Sequence, residues 1–238
     1  MKPINDIMQR LLPLIIATVL LSCSPVKKYQ NSADVLAWEN DIREFEKLDK
    51  NEKYDQNAIL FAGSSSIRLW TTLKSDMSPY PVIQRGYGGA RLSDFAIYAD
   101  RIIAPHPCGA IVIFIANDIT GSEADKSPKE VAALFRNVLQ TIRKTHPDTP
   151  VFWIAVTPTA ARWSVWKDIQ KAGSMIKDVC EHNRNTFFIR TDFAFLDENG
   201  KPRTEFFIDD KLHLNHQGYA IWTDIVKNEL EKVIPVNK

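Results

Sequence analysis

Residues 110–116, Ala110-Ile111-Val112-Ile113-Phe114-Ile115-Ala116, are apolar without a break. A strand with one wet face alternates apolar and polar residues; a strand covered on both faces does not. This run therefore reads as a strand inside a parallel sheet with helices on both sides. Working outward, four shorter runs read as its partners: 58–62 (AILFA), 81–84, 151–156 and 187–189. Helical patterns stand between them. Ser127-Pro128-Lys129-Glu130 is a capping box with proline at the first helical position. Val131, Leu134, Phe135, Val138, Leu139 and Ile142 then recur at helical spacing, which predicts a helix over 128–145. Further amphipathic helices are expected over 164–183 and 216–232. Trp38, Ile42, Phe45 and Leu48 fall on one helical face within 34–50. Strand alternating with helix predicts the α/β class, as a three-layer α/β/α sandwich around a five-stranded parallel sheet. Ligands of such sheets bind beyond the carboxyl ends of the strands. The loops after the strands are therefore where chemistry is sought.

Four of these loops carry polar residues of interest. Gly63-Ser64-Ser65-Ser66 follows the first strand and opens a helical pattern, Ile67-Arg68-Leu69-Trp70. A serine at such a turn projects its hydroxyl from the sheet, beside the unpaired N–H groups of a helix start; serine is also a common helix cap. Arg85-Gly86-Tyr87-Gly88-Gly89 follows the second strand. Its three glycines permit close backbone approach to a ligand or form a flexible turn. Arg91 stands where a dinucleotide fingerprint would need its last glycine. Asn117-Asp118 follows the third strand, where an amide can face a pocket or simply make a turn. Near the C-terminus, Asp209-Asp210-Lys211-Leu212-His213-Leu214-Asn215 spaces Asp210 three residues before His213. A carboxylate so placed can hold the imidazole at Nδ1 and leave Nε2 as a base. A metal held by His213, His216 and an acid is the rival reading, and no other His or Cys cluster supports it.

Together the four segments resemble the SGNH/GDSL hydrolases, a family named for Ser, Gly, Asn and His in separated blocks. Here the order is Ser65, Gly89, Asn117, His213, within ILFAGSSSIRLW, VIQRGYGGARLSD, ANDI and DDKLHLNHQGY. The likeness runs from about Ala58 to Trp222. GSSSIRLW and TPTAARW (157–163) look like a bacterial branch of lysophospholipase-like and acetylhydrolase-like proteins. The resemblance implies a flavodoxin-like sheet and a serine esterase acting through an acyl-enzyme. It implies Ser65 as nucleophile, His213 as base and Asp210 as its partner. It further implies an oxyanion hole from the N–H groups of Ser65 and Gly89 and the amide of Asn117. That chemistry needs no metal or organic cofactor. Two departures stand out. Ser64 replaces the usual acid before the nucleophile, which leaves Ser64 and Ser66 as decoys. Ile115 replaces a usual glycine before Asn117, and is expected to narrow the acyl site or weaken activity. Arg162 and Trp163, in the loop after the fourth strand, are the candidate substrate-binding residues. Trp163 and Trp166 serve equally well as core contacts. The expected substrates are short acyl or acetyl esters, including those on polysaccharides, with lysophospholipids as the alternative. A non-catalytic carbohydrate-binding lipoprotein on the same fold is the reading from another class.

Composition narrows the partners. The 238 residues are 45% hydrophobic and 25% charged, with a net charge of +1. That is a globular chain long enough for one full core. Near-neutral charge disfavours nucleic acid and anionic membrane surfaces as partners. Lys2 and Arg10 precede the apolar run 11–21, too short to span a membrane, and Leu20-Leu21-Ser22-Cys23 resembles the bacterial lipobox. The expected organisation is a lipoprotein signal peptide over 1–22, a tether over 23–33 with Cys23 lipidated, and a hydrolase domain over 34–238. Such a protein is anchored by lipid in the cell envelope, with its catalytic domain extracytoplasmic. After cleavage the acidic and basic residues balance at 28 each, so attachment must come from the lipid. Cys108 and Cys180 are expected as buried thiols.

Overall fold

In a computed structural model that describes residues 25–235, the chain winds around one sheet of five parallel strands. The signal segment 1–22 and Cys23 lie outside the described residues. The strands are β1 (Ile59–Gly63), β2 (Val82–Gly86), β3 (Ala110–Phe114), β4 (Val151–Ile154) and β5 (Thr186–Ile189), in the spatial order β2-β1-β3-β4-β5. Successive residues of a strand point to opposite faces. Leu60, Ala62, Ile111, Ile113, Val151 and Trp153 enter one core. That core is closed by α5 (Leu92–Ile103), α6 (Pro128–Thr145) and α7 (Trp166–Glu181). Ile59, Phe61, Val112, Phe114, Phe152 and Ile154 enter the other, against Trp70, Leu73 of α4 (Leu73–Asp76), Phe195 of α8 (Asp192–Phe195), and Trp222 and Val226 of α9 (His216–Glu231). Two buried faces account for the unbroken apolar run at 110–116. The chain turns from β1 to β2 on one side and then to β3 on the other. The carboxyl ends of β1 and β3 thus flank the switch point where such sheets bind ligands.

The structure redraws several sequence boundaries. The helix expected over 34–50 is two helices, α1 (Ala33–Leu36) and α2 (Glu39–Asn51), with Trp38 at the break. Ile42 is buried, but Leu48 is 40% exposed, so the apolar stripe is covered only in its first half. The helix expected over 164–183 begins as a 3-10 turn, Ala160–Val165, and becomes α7 only at Trp166. Within that turn Arg162 leaves helical geometry, at φ −118° and ψ 18°. The tether is corrected in its described part. Val26 is buried, and the Tyr29 hydroxyl donates to Glu130, whose carboxylate also meets Lys28 Nζ at 2.5 Å. Two apolar side chains in a polar stretch were enough to dock it. Glu130 is consequently turned away from its capping-box role. Ser127 Oγ accepts from the Glu130 N–H at 3.3 Å, while the Glu130 carboxylate bonds Tyr29 and Lys28. Cys108 and Cys180 are unpaired and buried, and burial pushes both thiols up to about 12.

Candidate active site

Gly63 ends β1 at φ +137°, and a Cβ there would lie 2.0 Å from the Phe114 carbonyl oxygen. Only glycine allows β1 and β3 to end this close, and the Ser64 N–H then donates to that carbonyl at 2.8 Å. The short helix α3 (Ser65–Arg68) starts at once, with Ser65 first. It is fixed from below. Gln84 Nε2 donates to the Ile67 and Trp70 carbonyls at 2.6 and 3.2 Å, and Tyr219 donates to the Ser66 carbonyl at 2.9 Å. Ser64 and Ser66 are buried, whereas Ser65 opens to a groove. The structure thereby separates Ser65 from its two neighbours.

His213 Nε2 lies 2.9 Å from Ser65 Oγ, and His213 Nδ1 lies 2.6 Å from Asp210 Oδ2. The other Asp210 oxygen accepts the Leu212 and His213 N–H groups, each at 2.9 Å. Lys211 between them adopts φ +56°, a left-handed conformation that side chains other than glycine rarely take. The turn is held by Lys211 N–H to the Ile208 carbonyl and Ile208 N–H to the His213 carbonyl, both 2.9 Å. Burial pushes the Asp210 carboxyl up, but its hydrogen bonds from His213 and Leu212 outweigh this and hold it below the ordinary aspartate value. It is thus an anion that keeps the proton on Nδ1 and leaves Nε2 to accept from Ser65. Both ring nitrogens are engaged, so the metal reading loses His213. His216 opens α9 in an exposed position, and no group of three His, Cys, Asp or Glu among the described residues is placed to hold an ion.

The three expected oxyanion donors converge on the same groove, which Ser65, Gly89 and Asn117 all line. Gly89 takes φ +72°, again a conformation suited to glycine. The loop before it is tied to α5: Asp94 accepts the Tyr87 hydroxyl at 2.6 Å and the Arg91 N–H at 3.0 Å. Burial pushes the Asp94 carboxyl up to about 6, against the opposing effect of those bonds. Asn117 Nδ2 donates to the Ala90 carbonyl at 2.9 Å, which leaves its second N–H for the groove. Asp118 faces inward, accepts the Leu92 N–H at 2.9 Å and meets Lys126 Nζ at 3.1 Å.

Three sequence expectations are corrected. Arg162 does not line the groove. It is buried, and its guanidinium donates to the Ala116 carbonyl at 2.6 Å and to Asn117 Oδ1 at 2.5 Å. Trp163 does not line the groove either; it stacks on Trp166 at 5.9 Å with 16° between the planes, under the Lys201 ammonium. Ile115 shares the sheet face of Ile111 and Ile113, packs into the core and lines a small apolar cavity with Trp153, Ile169 and Ile176. It therefore cannot narrow the acyl site. In turn the groove, about 530 Å³ and open, is lined by Trp38, Asp41, Arg68 and Leu212, none of which the sequence singled out for it. Arg68 carried a signal: it follows Ser65 by three residues and so shares its side of the helical turn. Trp38 and Asp41 carried none, because they come from a helix start far upstream.

A family model, the GDSL-like lipase/acylhydrolase family, matches residues 60–221, roughly two thirds of the chain. Among curated proteins no sequence matches. Several solved structures share the fold. One, from Streptococcus pneumonia and provisionally assigned as a platelet activating factor, is 18% identical with a TM-score of 0.73, over 82% of this chain and 94% of that one. A GDSL-like lipase from Bacteroides thetaiotaomicron is 15% identical with a TM-score of 0.67, over 87% and 100%. A catalytic mutant of an acetylxylan esterase from Geobacillus stearothermophilus is 13% identical with a TM-score of 0.62, over 75% and 95%.

Proposed function

The chain belongs to the GDSL-like lipase/acylhydrolase family and hydrolyses carboxylic esters; on that premise we propose that it is a serine esterase removing short acyl groups, acetyl foremost, through an acyl-enzyme. The observation that carries the reading is the hydrogen-bonded chain Ser65–His213–Asp210 beside three donors. Ser65 Oγ attacks the ester carbonyl as His213 Nε2 takes its proton. The carbonyl oxygen, now negative, is held by the N–H groups of Ser65 and Gly89 and the free N–H of Asn117. The tetrahedral intermediate collapses, the carbon–oxygen bond to the alcohol breaks, and His213 returns the proton to the leaving oxygen. Water then attacks the acyl-Ser65 carbonyl as His213 takes its proton; the acyl carbon–Oγ bond breaks, His213 returns the proton to Ser65 Oγ, and the acid leaves. Asp210 stabilises the imidazolium in both halves.

Two features favour short acyl groups. The groove is open rather than tunnel-shaped, with Trp38 and Leu212 as apolar walls and the charged Asp41 and Arg68 beside them. The small apolar cavity bordered by Ile115 has only about 20 Å³ of free space, room for little more than a water. It offers no tunnel for a long chain. Acetylated polysaccharide fits this reading better than a lysophospholipid. Attachment to the cell envelope through lipid on Cys23 belongs to the same proposal and rests on the lipobox-like Leu20–Cys23 and the short apolar run before it.

The decisive test is Ser65→Ala. We expect p-nitrophenyl acetate hydrolysis to fall at least about 10³-fold, together with loss of covalent labelling by a fluorophosphonate. A Ser65→Ala protein that hydrolyses at the wild-type rate overturns the assignment. Folded wild type that takes no label, yet binds glycans, would mark a non-catalytic binding protein. Rates over C2 to C16 esters are expected to peak at C2.

A further inference from the structure

The groove beside Ser65 has a second half that the hydrolytic chemistry does not use. Trp38 and Asp41 sit one helical turn apart at the start of α2, and Arg68 ends α3. All three line the groove with Ser65 and His213. The Trp38 benzo ring lies over the left-handed Gly89, where an added Cβ would come within 3.3 Å of Trp38 Cζ2. The Arg68 guanidinium covers Gly88 in the same way, 3.2 Å from where a Cβ would stand. The two glycines thus bring an aromatic ring and a cation down to the level of the nucleophile. Trp38 is seated by Tyr87, ring centroids 5.3 Å apart, and Tyr87 is itself held by Asp94. The side chains of Asp41 and Arg68, by contrast, are exposed and make no hydrogen bond or ion pair among the described residues. In a chain where Arg43, Arg85 and Arg101 nearby all find carboxylates, two opposite charges left unpaired on one groove wall are unspent hydrogen-bonding capacity.

We propose that Trp38, Asp41 and Arg68 form a subsite for a sugar ring that carries the acetyl ester. An aromatic surface suits the apolar C–H face of a pyranose. A carboxylate accepts from ring hydroxyls, and a guanidinium donates to neighbouring oxygens. This rests on the esterase reading and names its alcohol: the ring docks on the α2 side while its acetyl carbonyl meets Ser65. Trp38 and Asp41 precede residue 60, where the family match begins, so the subsite depends on this chain's N-terminal part.

The test separates the subsite from the chemistry. Ser65→Ala protein, mature length, is titrated calorimetrically with acetylated xylotetraose. Binding is expected, and Arg68→Ala or Asp41→Ala added to it should weaken the Kd about tenfold. Both are exposed positions, and Trp38→Phe complements them by keeping an aromatic ring and most of the affinity while Trp38→Ala loses it. In the active protein, the same alanine variants should lower kcat/KM for acetylated xylotetraose about tenfold more than kcat/KM for p-nitrophenyl acetate. Equal losses on both substrates overturn the subsite and leave the esterase standing. Binding by Ser65→Ala that needs Trp38 and Arg68, in a protein with no hydrolysis, supports the subsite and sinks the esterase. A preference for acetylated glycerophosphocholine that depends on Arg68 overturns the sugar in favour of a phospholipid headgroup.

Discussion

Asn117 shows how a single side chain is prepared for its task. An asparagine amide can rotate and can present either end, so a useful donor has to be locked. Here one N–H is spent on the Ala90 carbonyl, and the oxygen is occupied by Arg162, which reaches it from a 3-10 turn after β4. Arg162 is buried to do this and makes two directed bonds, so its planar fork matters more than its charge. Asn117→Ala should lower kcat about 10²–10³-fold. Arg162→Ala should lower kcat roughly tenfold, with a much smaller change in KM, because Asn117 keeps its identity but loses its orientation. Arg162→Lys should not restore the rate, since an ammonium cannot make both bonds in the same geometry. Steady-state kinetics with fluorophosphonate labelling as a folding control would check this, and a pure KM effect would return Arg162 to a substrate-binding role. From sequence, Arg162 looked like a loop residue near the site. Its neighbourhood was legible; its direction was not, because that depends on a contact 45 residues away.

At the scale of elements, two buried carboxylates tie the site loops to α5. Asp118 joins the loop after β3 to the Leu92 N–H and to Lys126. Asp118→Ala would leave the Lys126 ammonium buried without a partner, and should cost about 3–5 kcal/mol in urea unfolding. Asp118→Asn should cost less, since its oxygen can still accept from Leu92. Asp94 holds the Tyr87–Arg91 loop and carries a raised carboxyl, about 6 in the folded protein against 3.8 for an ordinary aspartate. An acid that binds its proton more tightly when folded adds stability below its unfolded value, and that contribution is lost as pH rises through about 6. Relative to Asp94→Asn, wild type should therefore lose about 2 kcal/mol between pH 4 and pH 7. A difference that stays flat over that range would show that Asp94 ionises normally. Neither effect was visible in a linear reading. Asp94 stood only as the last residue of the segment VIQRGYGGARLSD, and Asp118 as the second half of a turn.

For the whole molecule, the N-terminal segment matters beyond its composition. Residues 25–32 lie on the α6 face through Val26, Lys28 and Tyr29, and a replaced Val26 exposes that contact. Val26→Asp should lower the unfolding free energy by about 2 kcal/mol. If Cys23 carries lipid, only Ser24 and Pro25 separate it from Val26, a reach of about 10 Å. The α6 face would then stand against the membrane instead of swinging on a long tether. Cys23→Ser should abolish incorporation of labelled palmitate and move the protein from the membrane to the soluble fraction; retention at the membrane would sink the lipoprotein reading.

Local chemistry was enough to determine much of this protein. Unbroken apolar runs marked strands buried on both faces, and a glycine–serine turn, a glycine-rich loop, an Asn and an Asp-x-x-His marked the loops at their carboxyl ends. Those signals survive in a linear chain because strand burial and turn geometry are set within a few residues. The tertiary structure alone decided that Ile115 faces the core, that Arg162 serves Asn117, and that Trp38 crosses to the nucleophile. Each of these depends on which face of an element a side chain takes and on what distant segment packs there. That choice is made by burial over the whole fold, and no spacing along the chain encodes it.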